Sequence, residues 1–328
     1  MKKIITILTV LLTVILSSCS NDEIPVEHTV TFKLNPATVV ENLYEANPGD
    51  LTSIYEKYKL NIDLYIYDES GQLVNKDIQE VKSYTNITTS NINLSNGEYT
   101  IVAISHTTSI DDTKYPNFWS FEGFDNLNTL KITDNGKIGG NLKILGLTVE
   151  KIDVTDIDNT FKIDIQNAGA VACVAFLNWN RYKDIDKYQL TMNNACNYIT
   201  TNKNGEVEHS IKSESVNAFI AVQLSYTAEI PLGWGYFFTF PTKNTSLQFY
   251  AVTTEAKKIA LKNASNEIDF EQGKSYLFTY DVTKEEAKWL DATNNNSSRN
   301  TPSEVLQNSA CSKPSIVYDY ENMSISIK

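Results

Sequence analysis

Apolar and polar residues alternate along several stretches of this chain, and that alternation restricts it to a fold built from sheets. Val30, Phe32 and Leu34 are separated by polar residues, and residues 60–67 repeat the pattern. Successive side chains of a strand point to opposite faces, so a period of two predicts strands with one buried face. Only residues 47–59 favour a helix of comparable length. The sequence therefore predicts an all-β protein.

The strands fall into two groups, which predicts two tandem immunoglobulin-like β-sandwiches. A run of Asp and Asn near Asp158 separates the groups, so we place the sandwiches at 29–158 and 159–283. In the first, the acidic cluster 68–71 ends in glycine and predicts a hairpin turn. Residues 284–328 are predicted to form a linker, briefly helical at its start, and a C-terminal tail.

The N-terminus has the layout of a bacterial lipoprotein export signal. A charged start precedes an apolar run at 4–16, which is shorter than the roughly 20 residues of a membrane-spanning helix. The motif Leu-Ser-Ser-Cys at 16–19 resembles a lipobox, whose cysteine, here Cys19, is acylated and becomes the first residue after cleavage. We predict a signal peptide at 1–18 and a lipidated tether at 19–28. The alternative is an ordinary secreted protein with an incidental cysteine.

Composition and charge indicate where the protein is located and which classes of partner it binds. The chain has 28 basic and 40 acidic residues, and its net charge of −12 becomes −14 once Lys2 and Lys3 leave with the signal. This acidity argues against nucleic acid as a partner. The acidic stretch at 20–23 resembles the tether by which Bacteroidetes lipoproteins reach the outer face of the outer membrane. We therefore predict a surface-exposed outer-membrane lipoprotein.

The residue types needed for catalysis or metal binding are not grouped. His28, His106 and His209 lie far apart, without zinc-ligand spacing. The tripeptide at 273–275 lacks the earlier glycine of a phosphate loop, and the acidic run at 153–159 does not have the spacing of a calcium loop. No nucleophile elbow is present in the sequence. The sequence thus predicts no enzyme, no metal and no cofactor.

The cysteines other than Cys19 leave two interpretations open. Cys173 and Cys196 lie on predicted neighbouring strands of the second sandwich and can form a disulfide in an oxidising compartment. They can equally be small buried hydrophobic residues that never pair. Cys311, in the polar tail, is left over in either case.

Two aromatic clusters, at 115–124 and 234–238, also have two interpretations. Exposed rings, such as those of Trp119 or Trp234, would suit a glycan-binding surface. Buried rings would close the open end of a sandwich core.

Three segments together with the lipobox resemble the FimA/Mfa-type fimbrillin family of Bacteroidetes: residues 64–71, 96–103 and 273–276. The resemblance covers roughly 30–282. It implies two transthyretin-like sandwiches, a role in fimbriae and cell adhesion, and other fimbrial subunits as partners. In that family a protease removes the first strand, and a C-terminal strand from a neighbour fills the groove.

The resemblance assigns two segments of this chain to strand exchange. Residues 29–34 correspond to the removable first strand, and residues 316–327 to the donor, which the sequence predicts to be a hairpin. The apolar positions that would fill a groove are Ile316, Tyr318, Met323, Ile325 and Ile327. The alternative is that this tail pairs within its own subunit.

One departure from the family favours an anchor. Processing in polymerising members follows an arginine near the first strand, whereas this chain has only Arg181 and Arg299. A subunit that keeps its first strand cannot accept a donor, so it ends a polymer, and its lipid fixes that polymer to the membrane. Cleavage at a lysine such as Lys33 would undo this reasoning. We predict a fimbrial anchor or minor structural subunit, with a glycan-binding surface lipoprotein as the alternative.

Overall fold

The computed structural model describes residues 26–35, 57–81, 88–136, 143, 145–157, 159–178, 184–202, 204–211, 216–220, 223–225, 232–261, 268–291, 316–319 and 324–327. Within these ranges the chain forms strands and one 3-10 turn, Leu127–Thr129, without an α-helix. The predicted all-β class is therefore confirmed. In the same ranges no helix is long and apolar enough to cross a membrane.

The strands of the first half are β1 (Glu27–Asn35), β2 (Tyr58–Tyr67), β3 (Leu73–Glu80), β4 (Thr88–Ser95), β5 (Gly97–Ser109), β6 (Trp119–Glu122), β7 (Lys131–Asp134), β8 (Leu145–Val154) and β9 (Thr160–Asp164). Those of the second half are β10 (Ala170–Leu177), β11 (Ile185–Asn193), β12 (Cys196–Thr201), β13 (Val207–Ile211), β14 (Val216–Ile220), β15 (Gln223–Ser225), β16 (Leu232–Thr239), β17 (Thr242–Thr253), β18 (Lys258–Ala260), β19 (Ile268–Phe270), β20 (Ser275–Asp281), β21 (Glu286–Asp291), β22 (Ile316–Asp319) and β23 (Ser324–Ile327).

The first sandwich packs the sheet β4-β1-β9 against the sheet β3-β2-β5-β8. Its core takes the inward residues of both sheets, which include Val30, Phe32, Leu34, Leu60, Ile62, Leu64, Ile66, Ile101, Ala103 and Ile163. The hairpin predicted at 68–71 joins β2 to β3. There Asp68 accepts hydrogen bonds from the Ser70 hydroxyl and the Gln72 N–H, which lower the pKa of its carboxyl. Gly71 adopts the positive φ of 81° that this turn requires.

The strands β2 and β5 are buried on both faces, whereas alternation predicted one exposed face for β2. A third sheet, β13-β12-β7-β6, covers the second face. Tyr65 and Tyr67 consequently lie in a second core, with Phe118, Leu130 and Ile199. The buried Tyr67 hydroxyl still has a hydrogen-bond partner, because it donates to the Phe124 carbonyl at 2.9 Å.

Two pairings cross the predicted boundary at Asp158. Strand β9 follows that boundary in sequence but pairs in parallel with β1, and β12 pairs with β7. The third sheet thus takes strands from both halves of the chain. The division into 29–158 and 159–283 stays a prediction.

The second sandwich combines the sheet β15-β16-β10-β20-β21 with the sheet β14-β11-β17-β18, to which β19 adds at β17. Phe176 stacks on Tyr188 at 4.3 Å between ring centroids at the centre of its core. Residues 284–290, expected to be helical, instead lead into β21, which pairs antiparallel with β20. The sheet therefore continues to Asp291, because pairing with β20 satisfies the backbone groups of this segment.

The predicted C-terminal hairpin is present. Strands β22 and β23 pair antiparallel, with Ile316 opposite Ile327 and Tyr318 opposite Ile325. Among the strands that the structure describes, these two pair only with each other.

Candidate strand-exchange site

Strand β1 is the central strand of its sheet, between β4 and β9. It pairs antiparallel with β4 from Glu27, opposite Ser95, to Leu34, opposite Thr88. On its other side it pairs in parallel with β9, where Phe32 lies opposite Phe161. The Thr31 N–H extends this contact by donating to the Asn159 carbonyl at 2.8 Å. Both backbone edges of β1 are therefore in use.

The inward face of β1 is fully buried. Val30, Phe32 and Leu34 are 0%, 0% and 1% exposed. Phe32 stacks on Phe161 with ring centroids 5.9 Å apart. The alternation that predicted this strand therefore also identified its buried face correctly.

The outward face of β1 carries a row of polar side chains that bond to its neighbours. The Thr29 and Thr31 hydroxyls donate to the side-chain oxygens of Asn93 and Asn91, at 3.1 and 2.8 Å. These cross-strand bonds fix the register of β1 against β4.

The end of β1 is tied to the end of β9. The Asn35 amide donates to Asp164 Oδ1 at 3.0 Å, and the Ile165 N–H donates to the Asn35 carbonyl at 2.9 Å. The hydrogen bond from Asn35, with a second from Lys162, lowers the pKa of the Asp164 carboxyl. Deprotonated Asp164 thus holds the end of β1 at neutral pH.

Without β1, the strands β4 and β9 would each expose an unpaired backbone edge, and the core would open as an apolar groove. A strand with alternating apolar side chains could satisfy both. The chemistry that this site supports is pairing of strands. The first half of the predicted exchange pair, residues 29–34, thus lies where removal would create a groove.

The donor candidates lie in a hairpin, and the structure does not bring this hairpin onto β4 or β9. Ile316 and Tyr318 are in β22, and Ile325 and Ile327 are in β23. Met323 lies outside the described residues. Self-pairing of the two strands agrees with the alternative in which the tail pairs within its own subunit.

The first aromatic cluster is core, so a glycan platform on Trp119 is wrong. Trp119 is 4% exposed, and its ring lies edge-on to Phe238 at 5.0 Å between centroids. Trp119 begins β6 of the third sheet, and burial of its ring in the second core removes the ring face that a sugar would need. The side chain of Trp234 lies outside the part that the structure describes.

Cys196, one of the two cysteines for which a disulfide and unpaired burial were both open, is a free, buried thiol. Cys196 begins β12 in the third sheet, whereas Cys173 lies in β10 of the second sandwich. The Sγ of Cys196 donates to the Tyr198 carbonyl at 3.0 Å. Burial raises the pKa of the thiol to about 11.

Sequence reasoning missed a buried polar pair in the second core. His106 Nε2 lies 3.1 Å from Asp63 Oδ2, with both side chains under one-tenth exposed. Thr108 contacts the other ring nitrogen of His106 at 3.2 Å, and the Tyr65 hydroxyl donates to the same Asp63 oxygen at 3.4 Å. Alternation placed Asp63 at a polar position, but no signal in the sequence indicated that this face would be covered.

Several predicted sites lie outside the described residues: Cys19 with the tether at 19–25, Cys311, Arg181 and Arg299. Within the described residues, no three His, Cys, Asp or Glu side chains come together as a metal site.

Comparison with known proteins finds similarity in solved structures but not in sequence families. No protein-family model matches the sequence, and no curated protein matches it. A candidate adhesin from Bacteroides thetaiotaomicron superposes with a TM-score of 0.51 at 13% identity, covering 82% of this chain and 98% of that one. The fimbrial anchor protein Mfa2 from Porphyromonas gingivalis gives a TM-score of 0.45 at 12% identity, covering 81% and 96%. At such identities the first likeness establishes the fold alone. The chain therefore shares the all-β fold of a Bacteroides adhesin candidate, in agreement with the fimbrillin resemblance of its sequence.

Proposed function

We propose that this protein is an outer-membrane surface lipoprotein that serves as a fimbrial anchor or minor structural subunit and supports cell adhesion. Acyl chains on Cys19 would hold it to the membrane. Its partners would be other fimbrial subunits, joined by exchange of strands rather than by any enzymatic step. The observation that carries the proposal is the central position of β1 between β4 and β9.

The energetics of β1 support its retention. Full burial of a Val, Phe or Leu side chain contributes about 1.5–3 kcal/mol. The three buried side chains of β1 thus contribute on the order of 5–9 kcal/mol as an upper bound. Since β1 also satisfies two backbone edges, only a replacement strand of similar pattern could displace it.

Retention of β1 determines the role in assembly. While β1 fills the groove, the first sandwich cannot accept a donor strand. The C-terminal tail remains able to donate, because its alternation places Ile325 and Ile327 on one side of β23. A subunit that donates without accepting terminates a fimbria, and an acylated one would fix that end to the membrane.

The test is co-isolation with the surface polymer from cells that express altered tails. Removing residues 303–328 should abolish co-isolation, and Ile325→Ser with Ile327→Ser should do the same. The matched control, Ser324→Ala with Ser326→Ala, changes the alternate positions of the same strand and should co-isolate normally. Circular dichroism and melting of each variant check that both sandwiches stay folded. Normal co-isolation of the truncated chain would overturn the proposal.

A further inference from the structure

Two exposed apolar side chains lie at one end of the first sandwich. Ile157 is 81% exposed and Val26 is 69% exposed, more than any other large apolar side chain that the structure describes. Ile157 lies in the turn between β8 and β9, and Val26 immediately precedes β1. Because β1 and β9 run in parallel, with Thr31 opposite Thr160, the turn and the start of β1 are neighbours.

Hydrogen bonds fix this turn in place. The Asn159 amide donates to the Thr155 carbonyl at 2.7 Å, and the Thr155 N–H donates to Asn159 Oδ1 at 3.1 Å. Asp156 Oδ1 accepts from the Asn96 amide at 2.7 Å, which ties the turn to the one between β4 and β5. The same oxygen lies 3.3 Å from Nε2 of His28 in β1. Ile157 is thus held in solvent by a turn anchored on both sides.

The position of Cys19 limits what this end can face. Cys19 precedes Val26 by seven residues, and an extended chain spans at most about 3.6 Å per residue, so the two are at most about 25 Å apart. Acyl chains on Cys19 would therefore keep this end beside a bilayer. The headgroup boundary is then within reach of exposed apolar side chains at this end, for which leaving water is favourable.

We propose that this end of the sandwich, defined by Val26 and Ile157, docks on the lipid surface that holds the acyl chains of Cys19. The inference rests on the acylation in the proposed function. Each apolar side chain has an exposed acidic residue next to it in the sequence: Glu27 follows Val26, and Asp156 precedes Ile157. Like charges repel, so we expect docking to be weaker on a bilayer of anionic headgroups than on one of zwitterionic headgroups.

The experiment measures the depth of a reporter tryptophan in the acylated full chain. Ile157→Trp is compared with Ile78→Trp, whose parent residue is also exposed, at 53%. Ile78 lies opposite Asp63, which lies opposite Ile104. Ile78 is therefore level with Ile104 of β5. Ile104 lies seven residues after Gly97, which is at the docking end, so Ile78 is about 23 Å from that end. Each variant is placed in phosphatidylcholine vesicles that contain brominated lipid, and the fluorescence of the unsubstituted chain is subtracted.

We expect the added tryptophan at 157 to shift to the blue and lose intensity to the brominated lipid, while the one at 78 does neither. Vesicles with phosphatidylglycerol in place of phosphatidylcholine should quench position 157 less. Equal quenching at both positions in a chain whose intact mass shows acylation would overturn the docking and leave the anchor unaffected. A mass without acyl chains would instead overturn the anchor, and the docking with it.

Discussion

Phe32→Ala tests whether β1 is an integral strand of the first sandwich. The side chain of Phe32 is fully buried and stacks on Phe161. Truncating such a phenylalanine removes its transfer free energy and leaves a cavity, which costs about 3–5 kcal/mol. Domains are stable by only about 5–15 kcal/mol, so the variant should lose a large fraction of its stability.

The neighbouring position supplies the control. Lys33 is on the exposed face of the same strand, so Lys33→Ala should change the free energy of unfolding by no more than about 0.5 kcal/mol. Phe32→Leu keeps most of the volume and should fall between the two. The three differ by side chain alone and share the backbone pairing of β1.

Urea unfolding of residues 19–328, followed by fluorescence and circular dichroism, gives the free energies. The midpoint should fall for Phe32→Ala with little change in slope, because the surface exposed on unfolding stays nearly the same. If Phe32→Ala unfolds within about 0.5 kcal/mol of the parent chain, β1 is not packed as described and the argument for its retention fails.

Two further predictions concern the second core and its edge. Trp119→Ala should destabilise the chain by about 3–5 kcal/mol, because the ring packs on Phe238; a variant of unchanged melting temperature that had lost polysaccharide binding would contradict its burial. Burial lowers the pKa of His209 in β13 below its ordinary value of 6.5. The folded state then binds this proton less tightly than the unfolded state, so stability is complete above 6.5 and is lost as the pH falls below it. Between about pH 7.5 and pH 5, the urea midpoint of His209→Gln should fall by less than that of the parent chain. An equal fall in the two midpoints would refute this.

Alternation predicted the strands well because a period of two is a local property: it depends only on which side chains of a segment point to its buried face. The buried residues of β1 and the turn at 68–71 were both correct. Alternation does not determine partners, so the parallel pairing of β1 with β9, more than a hundred residues later, had no local signal. The same limit explains the error at Tyr65, since two of the four strands in the sheet that covers it, β12 and β13, come from the other half of the chain.

The candidate site was partly predictable for the same reason. Alternation predicted strands within 29–34 and 316–327, and β1, β22 and β23 form there. Their assignment to strand exchange came from the fimbrillin resemblance. Whether a ring is exposed depends on tertiary packing, which is why the sequence left both a surface and a core interpretation open for Trp119. Pairing of the two cysteines likewise depended on which sheet each strand joins, and β10 and β12 joined different ones.

The intact mass of the native protein, extracted from cell envelopes, tests the central claim most directly. The account predicts the mass of an acylated chain from Cys19 to Lys328, with β1 still covalently attached. A chain cut between β1 and β2, or one that begins at Cys19 without acyl groups, would contradict it.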